Sequence, residues 1–248
     1  MNSPNLYLLI ALAPLAGALI AGLFGTGFLG RFVCKKGAHS ITILGVLISL
    51  VGSVMVLMQT LNGHTFDGPV YTWATIGDAT WQIGFLIDNL TALMMVVVTS
   101  VSLMVHIYTI GYMAEDPGYQ RFFSYISLFS FSVLMLVMSN NVLRLFFGWE
   151  AVGLVSYLLI GFWFKKETAI FANMKAFLVN RVGDFGFALG IGLLYAYTGT
   201  MHYGEIFAKA EQLAQLSFPG TSWQLLTVAC IALFVGAMGK SAQVPLHS

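Results

Sequence analysis

Long apolar runs recur along this chain, broken only by short polar loops. Residues 6–27, 40–61, 89–113, 122–138, 142–164, 169–197 and 222–238 form such runs, each near the roughly 20 residues an α-helix needs to cross hydrocarbon. A backbone inside lipid must satisfy its own hydrogen bonds, so runs of this kind can only be helices. Composition agrees: 58% of the 248 residues are hydrophobic and 8% charged, against about 25% charged in soluble domains. A soluble core could not hide that much apolar surface. The expectation is an all-α polytopic membrane protein of about seven transmembrane helices, with the lipid bilayer as its solvent.

Two stretches break the helical pattern. Residues 68–88, GPVYTWATIGDATWQIGFLID, alternate and carry Gly77-Asp78 at a turn, which predicts a short β-hairpin. Residues 201–215, MHYGEIFAKAEQLAQ, have mixed charge at helical spacing and predict one short interfacial helix. Small-xxx-small spacings at Gly186–Gly190 and Ala232–Gly236 suggest close helix packing, with chance composition as the alternative. Pro14 lies within the first run, where a neighbouring helix must answer the backbone group it frees.

The basic residues orient the chain. Arg31, Lys35 and Lys36, then Arg121, then Lys165 and Lys166 fall on alternate loops, all on one side. The other side offers Arg144 and Lys209, and its hairpin carries Asp67, Asp78 and Asp88. The positive-inside rule puts the first side in the cytoplasm or mitochondrial matrix, with the N-terminus and the hairpin outside. The N-terminal MNSPNLYLLIALAPL has no basic leader, so its apolar run reads as a retained span.

Several classes of function are excluded. A net charge of +1 provides no basic face for nucleic acid. GTGFLG at 25–30 matches a dinucleotide fingerprint in letters, but no strand–helix unit surrounds it. GKS at 239–241 lacks the preceding glycine of a phosphate loop, Phe234 standing there. Of the histidines only His106 is well inside a run, and a bis-histidine haem needs two. Cys34 and Cys230 are far apart and read as small apolar fillers, with no cysteine cluster for a metal.

What stands out is charge inside the runs: Glu150 in the fifth, Lys175, Arg181 and Asp184 in the sixth, and Lys240 closing the seventh. Intramembrane charge is expensive, and its default reading is functional. Glu150 is eight residues, roughly 12 Å, into its helix, too deep for a short side chain to reach water. Arg181 and Asp184, three apart on one helix, can pair directly, either as a neutral structural bridge or as a working unit. Lys175 is near enough to the inner end to snorkel. Arg144, six residues from Glu150, faces about 120° away and makes a poor partner for it. Lys240 precedes Ser-Ala-Gln-Val-Pro, where its helix should break, and broken helices beside polar residues recur in ion-translocating proteins.

At these residues a family resemblance emerges. GWEAVGLVSYLLIGFW, KAFLVNRVGDFGF and GKSAQVPLHS, in that order, with HIYTIGYMAEDPGYQRFFSYISLF before them, closely resemble the largest antiporter-like membrane subunits of respiratory complex I, NADH:quinone oxidoreductase. These are the L subunits of bacteria and subunit 5 of mitochondria. The resemblance covers most of the chain from Asn89 onward. It implies that Glu150 and Lys240 form the proton-translocating pair, with Arg181 and Asp184 as supporting charges; Lys175 is counted with these two from its place in the sixth run, and no metal site is expected. It also implies that FMN, iron–sulfur clusters and quinone reside elsewhere in the complex, leaving this chain without a redox centre. The implied partners are other membrane subunits, above all a neighbouring antiporter-like subunit. The implied location is a bacterial inner membrane, or the mitochondrial one in a eukaryote.

Family members continue past Ser248 through Trp-Leu-Pro-Asp into a relay-bearing helix and a second, inverted repeat. The chain is therefore expected to be an N-terminal fragment, the first part of an antiporter-like inverted-repeat fold. Residues 1–121 would hold helices 1–3 with the hairpin, and 122–248 an incomplete first repeat of helices 4–7. Two rivals stand beside this reading. The large subunit of a multi-subunit sodium/proton antiporter shares the Trp-Glu and Gly-Lys-Ser motifs. A structural membrane scaffold would carry the same buried charges only as neutral pairs.

Overall fold

The computed structural model describes residues 4–30, 32–76 and 79–247. Helices α1 (Pro4–Gly25), α2 (Lys35–Leu61), α3 (Asn89–Tyr112), α4 (Tyr119–Val137), α5 (Val142–Ile160) and α6 (Glu167–Thr198) are long and apolar enough to cross a membrane. The expected seventh span is shorter: α9 (Leu225–Lys240) has 16 residues, roughly 24 Å of helix. A turn around Gly220, closed by Phe218 N–H donating to the Trp223 carbonyl at 2.8 Å, delays its start. Its end at Lys240 falls where Ser-Ala-Gln-Val-Pro predicts a break.

Local chemistry sets several helix ends. Asp88 Oδ1 accepts from Thr91 N–H at 2.7 Å to start α3, and Asn141 Oδ1 accepts from Arg144 N–H at 2.8 Å to start α5. At the end of α6, Gly199 adopts φ +70°, a left-handed cap that glycine takes without strain. Lys209 Nζ donates to the Thr198 carbonyl at 2.6 Å, adding positive charge where the helix dipole favours it. The cysteines depart from the filler reading. Both are exposed on this chain, and Cys34 Sγ caps α2 by accepting from Gly37 N–H.

Helices α1–α4 pack as one bundle. Pro14 has no N–H, so within α1 the Ile10 carbonyl loses its usual donor four residues on. Ser49 of α2 replaces it, its Oγ donating to Ile10 O at 2.7 Å. Gly45 and Gly52 on the same stripe of α2 admit this approach: a Cβ on Gly45 would lie 2.7 Å from the Ala13 carbonyl oxygen. On the other flank, Ser124 and Ser127 of α4 donate to the Ala18 and Pro14 carbonyls at 2.7 and 2.8 Å. Serine-to-carbonyl bonds thus hold a bundle that lipid, itself apolar, does little to compress.

The hairpin is antiparallel β1 (Phe66–Ile76) against β2 (Ala79–Ile87), in register from Phe66 opposite Ile87 to Ile76 opposite Ala79, with two bulges. The expected turn at Gly77-Asp78 lies outside the described residues, as does Arg31. Alternation buries Phe85 and Ile87 with Tyr7, Ile10, Val56, Met95, Leu134 and Met138. Leu86 N–H donates to the Met138 carbonyl at 3.1 Å, tying β2 to the α4–α5 junction. The interfacial segment is two helices, not the single one expected: α7 (Tyr203–Ala208) and α8 (Ala210–Gln215) meet at Lys209. Ile206 and Leu213, seven residues apart and so on one side, join the core with Phe187, Ile191 and Leu225.

Loops at the opposite end from the hairpin are bound by their cations. Lys35 Nζ donates to the Ala114 carbonyl at 2.8 Å, and Arg121 Nη2 to the Phe162 carbonyl at 3.2 Å. Asp116 accepts from Trp163 Nε1 at 3.0 Å and Gly118 N–H at 2.6 Å. Slight burial raises the Asp116 pKa, but these bonds and the Arg121 and Lys35 charges outweigh it and hold the carboxyl below its usual range.

Candidate functional site: a charge cluster where α5, α6 and α9 meet

Helices α6 and α9 lie unusually close because small residues face each other. A Cβ on Gly183 would lie 3.3 Å from Gly239 Cα, one on Gly186 3.2 Å from the Ala232 carbonyl oxygen, and one on Gly236 2.7 Å from a Phe187 ring carbon. The Gly186–Gly190 and Ala232–Gly236 spacings are this contact. It brings the end of α9, and so Lys240, against α5. Lys240 Nζ donates to the Trp149 carbonyl at 3.2 Å and lies 5.5 Å from the centroid of the Trp149 ring. Gly153, one turn on from Trp149, leaves room for it: a Cβ there would stand 2.7 Å from Nζ.

Trp149 is the centre of this arrangement. Its indole stacks on Phe187 of α6 with centroids 4.7 Å apart and planes 5° from parallel. Its Nε1–H donates to Asp184 Oδ1 at 2.8 Å. Asp184 is buried, at 5% exposure. Glu150, the next residue, turns to the other side of the α5–α6 contact. There Arg181 Nη1 donates to both of its oxygens, at 2.9 and 3.0 Å. The Arg181 guanidinium also covers the Phe177 ring at 5.2 Å.

The expected direct pair of Arg181 with Asp184 is therefore corrected. Successive residues on α5 point about 100° apart, so Trp149 and Glu150 straddle the contact with α6. They engage Asp184 and Arg181 respectively, whose own 60° separation splits them the same way. Three-residue spacing permits a pair, and the neighbouring helix supplied better partners to both. Glu150 and Arg181 form the one ion pair among the described residues, with side-chain exposures of 27% and 53% on this chain.

Lys240 and Glu150 do come near each other, without a direct bridge. The lysine donor rests on a carbonyl, while Asp184 and Glu150 attract its charge and Arg181 repels it. Lys175 is exposed on α6 and makes no contact with the cluster. Two residues were missed in reading the sequence. Trp149 counted there only as part of a motif, although a lone indole beside an intramembrane glutamate signals a buried N–H in need of an acceptor. Arg144 is 5% exposed, its guanidinium 4.2 Å from the Phe85 ring centroid and donating to the Met138 carbonyl at 3.2 Å. It pins the hairpin to α5, and only its place beside the Asn140–Asn141 pair hinted at burial.

Residues 139–248 match the family model described as NADH:quinone oxidoreductase/Mrp antiporter, TM. Residues 73–123 match NADH-Ubiquinone oxidoreductase (complex I), chain 5 N-terminus. NADH-quinone oxidoreductase subunit L of Neisseria meningitidis serogroup A is 63% identical over 254 residues, covering 100% of this chain and 37% of that protein. NADH-ubiquinone oxidoreductase chain 5 of Marchantia polymorpha is 43% identical over 250 residues, covering 98% and 36%. The chain thus spans a little over a third of the length of these relatives. Among solved structures, a chain of the membrane-bound sulfane sulfur reductase, an archaeal respiratory membrane complex, shares the fold. Its TM-score is 0.76 at 19% identity, covering 96% of this chain and 34% of that one. With relatives of one description alike over its whole length, and both matched models naming the same complex, the chain belongs to the family of L and chain 5 membrane subunits of NADH:quinone oxidoreductase.

Proposed function

We propose that this chain is part of a proton-translocating membrane subunit of NADH:quinone oxidoreductase, and that Glu150 and Lys240 are its working pair, with Arg181 and Asp184 supporting them. One observation carries this reading: Lys240 donates to the Trp149 carbonyl beside a carboxylate already engaged by Arg181. The lysine is attracted by two carboxylates and locked to neither. If Arg181 swings off Glu150, the freed carboxylate favours the protonated lysine; if Arg181 returns, the lysine is easier to deprotonate. Each pKa unit moved in this way corresponds to about 1.4 kcal/mol. Carrying one charge against 100 mV takes about 2.3 kcal/mol, so a swing of roughly two units would meet that electrical cost. Lys175 lies outside the cluster and serves as a flanking charge.

In this reading the electron carriers, FMN, iron–sulfur clusters and quinone, belong to other subunits, and this chain contributes charge movement only. Its partners are membrane subunits of the complex, with a neighbouring antiporter-like subunit foremost. The division near residue 121, helices 1–3 with the hairpin before it and a first antiporter-like repeat after it, follows from the same reading. So does a bacterial inner membrane with the N-terminus and hairpin outside, supported by Lys35, Arg121 and Lys166 gathering at the opposite end. The description of the model matching residues 139–248 also names the Mrp antiporters, which favours sodium/proton exchange as a second reading.

The test is Glu150→Gln in the full-length subunit within the assembled complex. Proton pumping and quinone-linked NADH oxidation should fall, while oxidation by an artificial acceptor that bypasses quinone stays near normal. Glu150→Asp should be milder. Wild-type pumping by the Gln variant sinks the proposal, and a strict requirement for sodium would favour the second reading.

A further inference from the structure

Asp184 and Lys240 carry opposite charges at one level of the α6–α9 crossing, yet they do not bridge. Each immediately follows a glycine of the closest contact, Gly183 or Gly239, where a Cβ on Gly183 would lie 3.3 Å from Gly239 Cα. Opposite charges in a poorly hydrated site attract strongly, and of the charges around Lys240 it is Asp184 that attracts it most. The only ion pair among the described residues is nevertheless Arg181 with Glu150.

One residue accounts for the gap. Trp149 donates its indole Nε1–H to Asp184 Oδ1 at 2.8 Å. To Lys240 it presents its main-chain carbonyl, 3.2 Å from Nζ, and its ring, with the centroid 5.5 Å from Nζ; an ammonium favours both. Two members of a potential ion pair are thus held by two parts of one tryptophan. An indole N–H only donates and a main-chain carbonyl only accepts, so each part can hold one member and not the other. The indole is fixed in turn by its stack on Phe187, centroids 4.7 Å apart. Phe187 is itself packed on α9, where a Cβ on Gly236 would stand 2.7 Å from a ring carbon. Gly153, one turn after Trp149, completes the seat for the lysine: a Cβ there would stand 2.7 Å from Nζ and push the ammonium off the carbonyl.

We propose that Trp149 and Gly153 are positioning residues that keep Lys240 and Asp184 from closing into a direct ion pair. The proposal rests on the reading of Lys240 as a proton carrier given above and names what keeps that site adjustable. An ammonium closed on a carboxylate at bonding distance holds its proton. A carbonyl and a ring face steady the ammonium without offering it a full negative charge, so a change at Glu150 can still tip the balance. Asp184, held by a neutral donor, supplies a constant attraction from beyond bonding distance, and Glu150 supplies the variable one.

Substitutions in the full-length subunit within the assembled complex test this, with proton pumping as the readout. Trp149→Phe keeps a ring on Phe187 and the carbonyl but frees Asp184 to turn to Lys240, and should slow pumping several-fold. Asp184→Asn removes the carboxylate that would close on the lysine. The double variant should therefore pump at the rate of Asp184→Asn alone, several-fold faster than Trp149→Phe; a tryptophan needed only for packing would give no such relief. Because Trp149→Phe also removes a stabilising bond, Gly153→Ala supplies a test without that loss. It displaces only the mobile end of a lysine side chain, and should slow pumping several-fold with assembly and the unfolding midpoint unchanged. Wild-type pumping by Trp149→Phe or Gly153→Ala, or a double variant no faster than Trp149→Phe, overturns the proposal. Lys240→Met separates the two readings. If it pumps at the wild-type rate, the proton-carrier role of Lys240 falls and the positioning roles fall with it. If it is inactive while Trp149→Phe and Gly153→Ala pump normally, only the positioning roles fall.

Discussion

The pairing of Arg181 with Glu150 rather than Asp184 has a measurable energy. Arg181 Nη1 reaches both Glu150 oxygens, at 2.9 and 3.0 Å, so the charge centres are about 4 Å apart. At an effective dielectric of about 20, that separation corresponds to about 4 kcal/mol of attraction. Screening reduces it, since the two side chains are 53% and 27% exposed on this chain. A coupling of about 1–2 kcal/mol remains, within the range found for contacting charged residues. A double-mutant cycle isolates it. Glu150→Gln, Arg181→Met and the double variant are made in the full-length subunit, and unfolding is followed by denaturing-detergent titration in mixed micelles. Either single change leaves a charge unpartnered, so the double variant should lose about 1–2 kcal/mol less than the summed single losses. A parallel cycle on Arg181→Met and Asp184→Asn should be additive within about 0.5 kcal/mol. Additive losses at 150 and 181, with coupling at 181 and 184, would refute the arrangement. Stability is the suitable readout here, because any variant lacking the Glu150 charge is expected to lose pumping.

Two further outcomes follow from the hydrogen bonds. Ser49→Ala strands the Ile10 carbonyl that Pro14 leaves without a helical donor, and should cost about 1–3 kcal/mol in the same unfolding assay; Ser49→Ala combined with Pro14→Ala, which restores the N–H, should recover most of the loss. Trp149→Phe keeps the stack on Phe187 but removes the bond to Asp184. Loss of a hydrogen bond to a charged group should destabilise the subunit by about 1.5–3 kcal/mol, and an unchanged unfolding midpoint would show that the indole N–H is idle.

Much of the architecture was legible along the chain. A stretch of roughly 20 uncharged residues has few alternatives to a helix in lipid, so the long spans could be read one by one. The hairpin was as plain, since Thr, Tyr and Trp alternate around Gly77-Asp78. Two elements were misjudged at their ends. The turn around Gly220 delayed the start of α9, and the interfacial helix divided at Lys209 although Ile206 and Leu213, seven residues apart, would share a face of one continuous helix.

For the charge cluster, the sequence by itself singled out the charged residues within the apolar runs, since Glu150, Lys175, Arg181, Asp184 and Lys240 carry charge that is costly in hydrocarbon wherever the helices go. It also determined that α6 and α9 could approach closely, since glycine and alanine recur at four-residue spacing. Only the tertiary structure decided who pairs with whom. Spacing along one helix reports which side chains share a face, but the rotation of α5 against α6 sets which face meets which. That rotation followed from distributed packing, with Phe187 stacked on Trp149 and Gly183 against Gly239. It delivered Trp149 to Asp184, Glu150 to Arg181 and Lys240 to a carbonyl, because no local rule fixes the azimuth of one helix relative to another.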